Sequence, residues 1–89
     1  MISRTTNKFW KCYDQLPHSI KEKAQKAYRF FEENPAHPSL RFKKINEDPK
    51  VYSVRITIDY RALGVMEKDK IIWFWIGSHD DYEALINQL

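Results

Sequence analysis

The stretch that decides the fold is VYSVRITIDYRALGVMEKDKIIWFWIGSHDDYEAL, residues 51–85. Within residues 51–58, apolar side chains recur at every second position, while Ser53, Arg55 and Thr57 point to the opposite side. A period of two is typical of a strand with one face buried and one face in water. The pattern therefore predicts a strand at residues 51–58 whose outer face is polar.

Two more strands and a short helix are predicted to follow. Residues 60–66 and 70–76 have strand character and are separated by a charged hairpin turn. The second of these strands is apolar on both faces, which predicts an internal position in the sheet. Gly77 is expected to end it, and Ser78 to cap a final helix that has two aspartates in its first turn.

The N-terminal part of the chain predicts two helices. Thr5 or Thr6 is placed to cap a first helix that runs to about Leu16, where Pro17 stops it. A second helix follows and ends before Pro35. Its apolar residues recur at helical spacing and are Ile20, Ala24, Ala27 and Phe31.

At residues 40–45 the apolar pattern changes from helical spacing to a period of two, which predicts one additional strand. A turn at residues 47–49 is expected to follow it. The elements together predict an α+β domain over residues 1–89. In this fold, an N-terminal helical hairpin packs on one face of an antiparallel β-meander of about four strands, and a short helix ends the chain.

The composition is that of a small basic protein with a hydrophobic core. Of the 89 residues, 43% are hydrophobic and 15% aromatic, which is enough to bury a core. The formal net charge is +3, and the basic excess comes from the first two-thirds of the chain. Such a surface is compatible with an anionic partner.

Several classes of function are excluded by what the sequence lacks. The single cysteine, Cys12, rules out an internal disulfide and a thiolate zinc site, and it suits a reducing cytoplasm. Two glycines do not make a glycine-rich phosphate loop, and no residues have metal-ligand spacing, so we predict no cofactor and no metal. No apolar run approaches the ~20 residues that span a bilayer, and there is no apolar leader. We therefore expect a cytoplasmic protein with no membrane partner.

Three segments of the chain resemble one known family. Residues 52–55 followed by residues 59–65 (DYRALGV) are similar to the central strands of RelE/ParE toxins, in which a basic strand precedes a Tyr-Arg pair and an apolar strand. Residues 72–82 resemble the end of these toxins, where an apolar strand and a glycine precede a His or Arg near a Tyr. Residues 37–43 resemble what precedes the first strand pairing. The order of these elements spans nearly the whole chain.

The resemblance implies a toxin of a bacterial type II toxin–antitoxin system with a RelE-like fold. RelE-like members cut mRNA, usually on the ribosome, whereas ParE-like members poison DNA gyrase. Both kinds are held inactive by a cognate antitoxin that often represses the shared operon. We therefore expect a cognate antitoxin, mRNA and the ribosome as partners, and operator DNA only through the antitoxin.

RNA cleavage without a metal requires a base for the 2′-hydroxyl, cations for the phosphorane and an acid for the leaving oxygen. Arg55 and Arg61 are expected to bind the phosphate and stabilise the transition state, because a guanidinium matches phosphate oxygens. His79 is expected to be the general acid or base, since histidine titrates near neutral pH. Tyr82, one helical turn later, is expected to position the substrate by stacking on a base or holding a phosphate.

Other assignments and their alternatives follow from the same reasoning. Lys43 and Lys44 are expected to add affinity for the RNA backbone. Arg61 could instead pair with Asp59 or with an acid of the last helix, and Tyr82 could belong to the core.

Three functions stay open at the level of sequence. A ribosome-dependent mRNA endoribonuclease is the leading hypothesis, although Ser53 stands where such nucleases carry a basic residue. A ParE-like gyrase inhibitor without catalysis is the first alternative. A degenerate family member that only binds its antitoxin or operator DNA is the second.

Overall fold

The β-meander forms the centre of the structure, a computed structural model that describes residues 1–89. The elements in chain order are β1 (Ile2–Thr5), α1 (Asn7–Asp14), α2 (His18–Glu33), a 3-10 turn (Pro38–Leu40), β2 (Lys43–Glu47), β3 (Lys50–Thr57), β4 (Tyr60–Glu67), β5 (Lys70–Ser78) and α3 (His79–Ile86). The α+β fold predicted from the sequence is confirmed. The structure adds one strand, β1.

The five strands lie in the order β1-β5-β4-β3-β2. Strands β2 to β5 form the predicted antiparallel meander, and β1 pairs with β5 in parallel, from Ile2 opposite Lys70 to Thr5 opposite Trp73. This additional strand covers the outer edge of β5. The internal position predicted for the apolar strand is thereby confirmed.

Two predicted strand boundaries are corrected by the structure. The strand expected at residues 40–45 begins only at Lys43, because Pro38–Leu40 forms a 3-10 turn and Arg41 adopts a left-handed conformation with φ of 45°. Gly77 does not end β5, since the strand continues to Ser78 and pairs there with Tyr60.

The first two helices begin where the sequence indicated. The side chain of Thr6 caps α1 by accepting a hydrogen bond from the amide of Phe9 at 3.1 Å. On α2, the residues expected to face the core are buried at Ala24, Ala27 and Phe31. Trp10 departs from the predicted apolar stripe of α1, because it is 47% exposed.

Helices α1 and α2 lie on the same face of the sheet, with α1 mainly against β5 and α2 mainly against β3. The strand between these two, β4, presents the small side chain of Ala62 to this face. A groove of about 750 Å³ therefore remains between the helices. Its floor includes Val54, Ala62, Trp73 and Ile76.

The opposite face of the sheet is covered by α3, whose contacts are with β4 and β5. Tyr82 of α3 lies in a second core cluster with Val51, Leu63 and Trp75. The predicted polar outer face of β3 is also wrong at Ser53, which is fully buried. We call this sheet face the α3 face.

Candidate functional site

Arg55 and Arg61 are direct partners across the antiparallel pair of β3 and β4. Side chains at opposed positions share a face, so both guanidinium groups lie on the α3 face. Both residues are half-buried, and no carboxylate lies within 4 Å of either. The alternative that Arg61 pairs with Asp59 or with an acid of α3 is therefore not found. Two like charges set opposite each other cost stability, and no carboxylate of the chain offsets the charge of this pair.

Arg61 has donors that nothing in the chain accepts. Its Nε and Nη1 are buried and have no hydrogen-bond partner. Its Cζ lies 5.6 Å from the centre of the Tyr82 ring, within the range of a cation–π contact. Leaving a buried donor unpaired costs about 1–3 kcal/mol, and more for a charged group.

His79 is the first residue of α3, directly after the cap. Ser78 accepts a hydrogen bond from the Asp81 amide at 3.2 Å, which confirms the predicted cap. The amide of His79 donates to the carbonyl of Asp59 at 2.7 Å, so the helix start is tied to the turn between β3 and β4. The His79 Nε2 lies 3.5 Å from a carboxylate oxygen of Glu83, one turn along the helix.

Tyr82 connects the two candidate catalytic groups. Its ring centre lies 5.7 Å from that of His79 and 5.6 Å from the Cζ of Arg61. Arg61 and His79 therefore lie close to the same aromatic ring. Because Tyr82 is only 5% exposed, its ring is part of the core. This burial agrees with the alternative that Tyr82 belongs to the core, while its expected role in positioning the substrate stays a prediction.

Gly77 of β5 lies opposite Arg61 in the sheet, and its lack of a side chain leaves space for the indole of Trp75. A Cβ atom at this position would lie 2.6 Å from Cζ2 of Trp75. The indole therefore lies against the glycine backbone beside the site. A larger residue at position 77 would displace it.

The two lysines predicted to bind RNA lie on opposite faces of β2. Lys43 is opposite Ser53, on the α3 face with Arg55, whereas Lys44 is opposite Tyr52 on the other face. Lys44 also forms an ion pair with Glu47 at 2.8 Å. This hydrogen bond raises the pKa of Lys44 above its ordinary value and lowers that of Glu47. Only Lys43 lies where it can extend the cationic surface of Arg55 and Arg61.

Two polar residues of this region were not predicted as site residues. Ser53 is buried with its hydroxyl oxygen unpartnered, on the same face as the arginines. Asp59 lines a cleft of about 140 Å³ together with His79, Asp80 and their neighbours Tyr60 and Ser78.

No group of three or more His, Cys, Asp or Glu residues is arranged to hold a metal ion. None of the helices has the length and apolar character needed to cross a membrane.

The fold and this cationic face define a class, that of small α+β proteins with a RelE-like fold. The family model of the ParE-like toxin domain matches residues 18–84. The chain therefore belongs to the ParE-like toxin family, within the RelE/ParE superfamily of toxins. A comparison with curated proteins found no match.

Solved structures of toxins share the fold at low sequence identity. RelE in the RelB–RelE antitoxin–toxin complex from Methanococcus jannaschii is 17% identical with a TM-score of 0.74, covering 92% of this chain and 96% of that one. YafQ from E. coli is 10% identical with a TM-score of 0.71, covering 90% and 94%. The YoeB/ParE toxin from Agrobacterium tumefaciens is 18% identical with a TM-score of 0.69, covering 89% and 99%. At these identities the likeness concerns the fold alone.

Proposed function

We propose that this toxin is a metal-independent endoribonuclease that cleaves mRNA by attack of the 2′-hydroxyl, on the ribosome, and so inhibits translation. The observation that carries the proposal is the pair of unpartnered Arg61 donors beside His79, around the ring of Tyr82. A phosphorane is stabilised mainly by hydrogen-bond donors that the folded protein already holds in place where negative charge develops in the transition state. Arg55 adds a second cation across the strand pair.

A protein antitoxin is the second part of the proposal. Relatives with this fold are known in RelB–RelE complexes from Methanococcus jannaschii and Pyrococcus horikoshii. By analogy, we infer that a cognate antitoxin holds this chain inactive and that operator DNA is reached only through the antitoxin. The free cations of the α3 face favour an acidic segment of that partner.

Gyrase inhibition without catalysis is the second candidate function. The family model that matches the chain is described as ParE-like, which favours this alternative. A gyrase inhibitor would not depend on the imidazole of His79, since binding requires no proton transfer. The two functions therefore differ in their dependence on this single side chain.

The test is induced expression of the wild type and of His79→Ala, with ribosome profiling and sequencing of mRNA ends. We expect the wild type to stop growth and cut mRNA at ribosome-occupied codons, and His79→Ala to lose both effects, since a general acid or base contributes about 10²–10⁴-fold. His18→Ala is the matched control. His18 also pairs with a glutamate one helical turn away, Glu22, at 2.8 Å, but it lies at the exposed start of α2.

Each outcome separates the candidates. Growth arrest with intact mRNA and a DNA-damage response would replace the nuclease with gyrase inhibition. Normal growth on expression of folded wild type would indicate a degenerate member that only binds its partners. A loss of toxicity in His18→Ala equal to that in His79→Ala would remove the special role of His79.

A further inference from the structure

The proposed reaction needs two proton transfers, and His79 is only one group. Attack by the 2′-hydroxyl requires a base that takes its proton, and departure of the 5′-oxygen requires an acid that supplies one. The two oxygens lie on opposite sides of the phosphorus atom in an in-line displacement. A second titratable side chain must therefore reach the same phosphate from another direction. The cleft beside His79 contains such a group.

Asp59 has the position and freedom that this role requires. It lies in the turn between β3 and β4, two residues before Arg61. Its amide donates to the hydroxyl of Thr57 at 3.1 Å, and its carbonyl accepts from the amide of His79 at 2.7 Å. The backbone is thus fixed on both sides. The carboxylate is exposed, has no ion-pair partner, and lines the same cleft of about 140 Å³ as His79.

The other carboxylates near His79 are less suited to act as a base. Asp80 lies in the first turn of α3, where its carboxylate interacts favourably with the positive end of the helix dipole. Glu83 already faces the imidazole of His79 at 3.5 Å. Asp59 has neither constraint. It is also the carboxylate closest in sequence to Arg61, whose free donors mark the expected phosphate position.

We propose that Asp59 is the general base of the cleavage reaction and that His79 is the general acid. This inference rests on the proposed nuclease function and divides its proton transfers between two named residues. Arg61 and Arg55 would hold the phosphate between them. The cleft would accept the ribose that carries the attacking hydroxyl.

The step balances without a metal or a co-reactant. The 2′-oxygen forms a bond to phosphorus while the bond from phosphorus to the 5′-oxygen breaks. The proton of the 2′-hydroxyl moves to the Asp59 carboxylate, and a proton of the His79 imidazolium moves to the leaving 5′-oxygen. The products are a 2′,3′-cyclic phosphate and a 5′-hydroxyl end. Proton exchange with water then restores both side chains.

The first experiment compares single-turnover cleavage of a short mRNA on programmed ribosomes by the wild type, Asp59→Asn and Asp69→Asn. Removing a general base should slow cleavage on the order of 10²–10⁴-fold in Asp59→Asn. Asp69, an exposed aspartate in the turn between β4 and β5, lies outside the cleft, so Asp69→Asn should cleave at about the wild-type rate. Asp59→Glu should recover part of the rate. Circular dichroism and thermal unfolding show whether each variant is folded.

The second experiment identifies which proton Asp59 handles, using an mRNA with sulfur in place of the 5′-bridging oxygen at the cleavage site. A thiol has a pKa of about 8.5, so the thiolate leaves without prior protonation. We expect this RNA to restore cleavage by His79→Ala but not by Asp59→Asn. Restoration of Asp59→Asn would overturn the assignment, as would a wild-type rate of Asp59→Asn on normal RNA. If the wild type cuts neither RNA, the nuclease function itself is wrong.

Discussion

Nε and Nη1 of Arg61 are buried without a hydrogen-bond partner, and Arg55 lies directly across the strand pair. Both features destabilise the folded state, since an unpaired buried donor costs about 1–3 kcal/mol and opposed like charges repel. An apolar pair of similar size would avoid both costs. Residues that lower stability in this way are typical of sites built for a ligand. At the scale of the residue, the cost supports an anion site.

The ring of Tyr82 is predicted to act on the reaction through Arg61 rather than by touching RNA. Tyr82→Phe keeps the ring beneath the guanidinium and should retain most of the cleavage rate. Tyr82→Leu keeps an apolar side chain in the core but removes the aromatic face. A cation–π contact of about 0.5–2 kcal/mol corresponds to a loss of about 2- to 30-fold in single-turnover cleavage.

The pair of variants separates the ring of Tyr82 from its hydroxyl. Thermal unfolding controls for any loss of packing in the second core cluster, to which Tyr82 belongs. A fall in Tyr82→Phe as large as that in Tyr82→Leu would mean that the hydroxyl contacts the substrate directly. That result would support the expected role of Tyr82 in positioning the substrate.

At the scale of the element, strand alternation decides which lysine shares a sheet face with the two arginines of the proposed RNA site. Lys43 shares the α3 face with the arginines, whereas Lys44 is on the opposite face and pairs with Glu47. We predict that Lys43→Ala weakens RNA binding and lowers the slope of log affinity against log salt by about 0.7–0.9, as for one lost phosphate contact. Lys44→Ala should change affinity and slope much less.

The measurement is RNA binding at several salt concentrations by the His79→Ala protein, which the proposed mechanism predicts to be inactive. Each lysine substitution is made in this background. Equal losses for both lysines would mean that the RNA wraps around the edge of the sheet at β2. In that case the ion pair of Lys44 with Glu47 would have to open on binding.

The sequence predicts elements well where their pattern is local and poorly where another element decides. The alternation of residues 51–58 and the threonine cap of α1 are local signals, and both elements were found. Strand β1 has only four residues and no clear alternation, so the sequence did not indicate it. Its structure depends on parallel pairing with the distant β5. Ser53 is likewise fully buried, on the sheet face where Tyr82 of α3 packs, and no local pattern indicates this burial.

The two tryptophans of β5 show the same limit inside one strand. Simple alternation would place Trp73 and Trp75 on one face. The register shift between Leu63 and Gly64 places them on opposite faces, one in each core cluster.

For the site, residue types and their order in the sequence indicated Arg61 and His79. Their shared contact with Tyr82 and the cleft that contains Asp59 become visible only in the folded structure.

At the scale of the whole molecule, the two sheet faces differ in chemistry. The α3 face holds the free cations Lys43, Arg55 and Arg61, while the other face has an apolar groove between α1 and α2. The aromatic side chains of Trp10 and Tyr28 at this groove are 47% and 41% exposed. A partner that directly blocks the proposed cleavage site must cover the cationic face.

We predict that the antitoxin, encoded by a neighbouring reading frame, covers the α3 face with an acidic amphipathic or extended segment. Isothermal titration calorimetry with the double variant Arg55→Ala/Arg61→Ala should show a loss of about 2–5 kcal/mol in binding free energy, as expected when charged partners are left unpaired. The loss should shrink as salt rises, because screening weakens the same contacts in the wild type. The double variant Trp10→Ala/Tyr28→Ala, on the groove face, is the control. A larger loss in that control would locate the antitoxin in the groove, and inhibition would then have to act through the sheet rather than by covering the arginines.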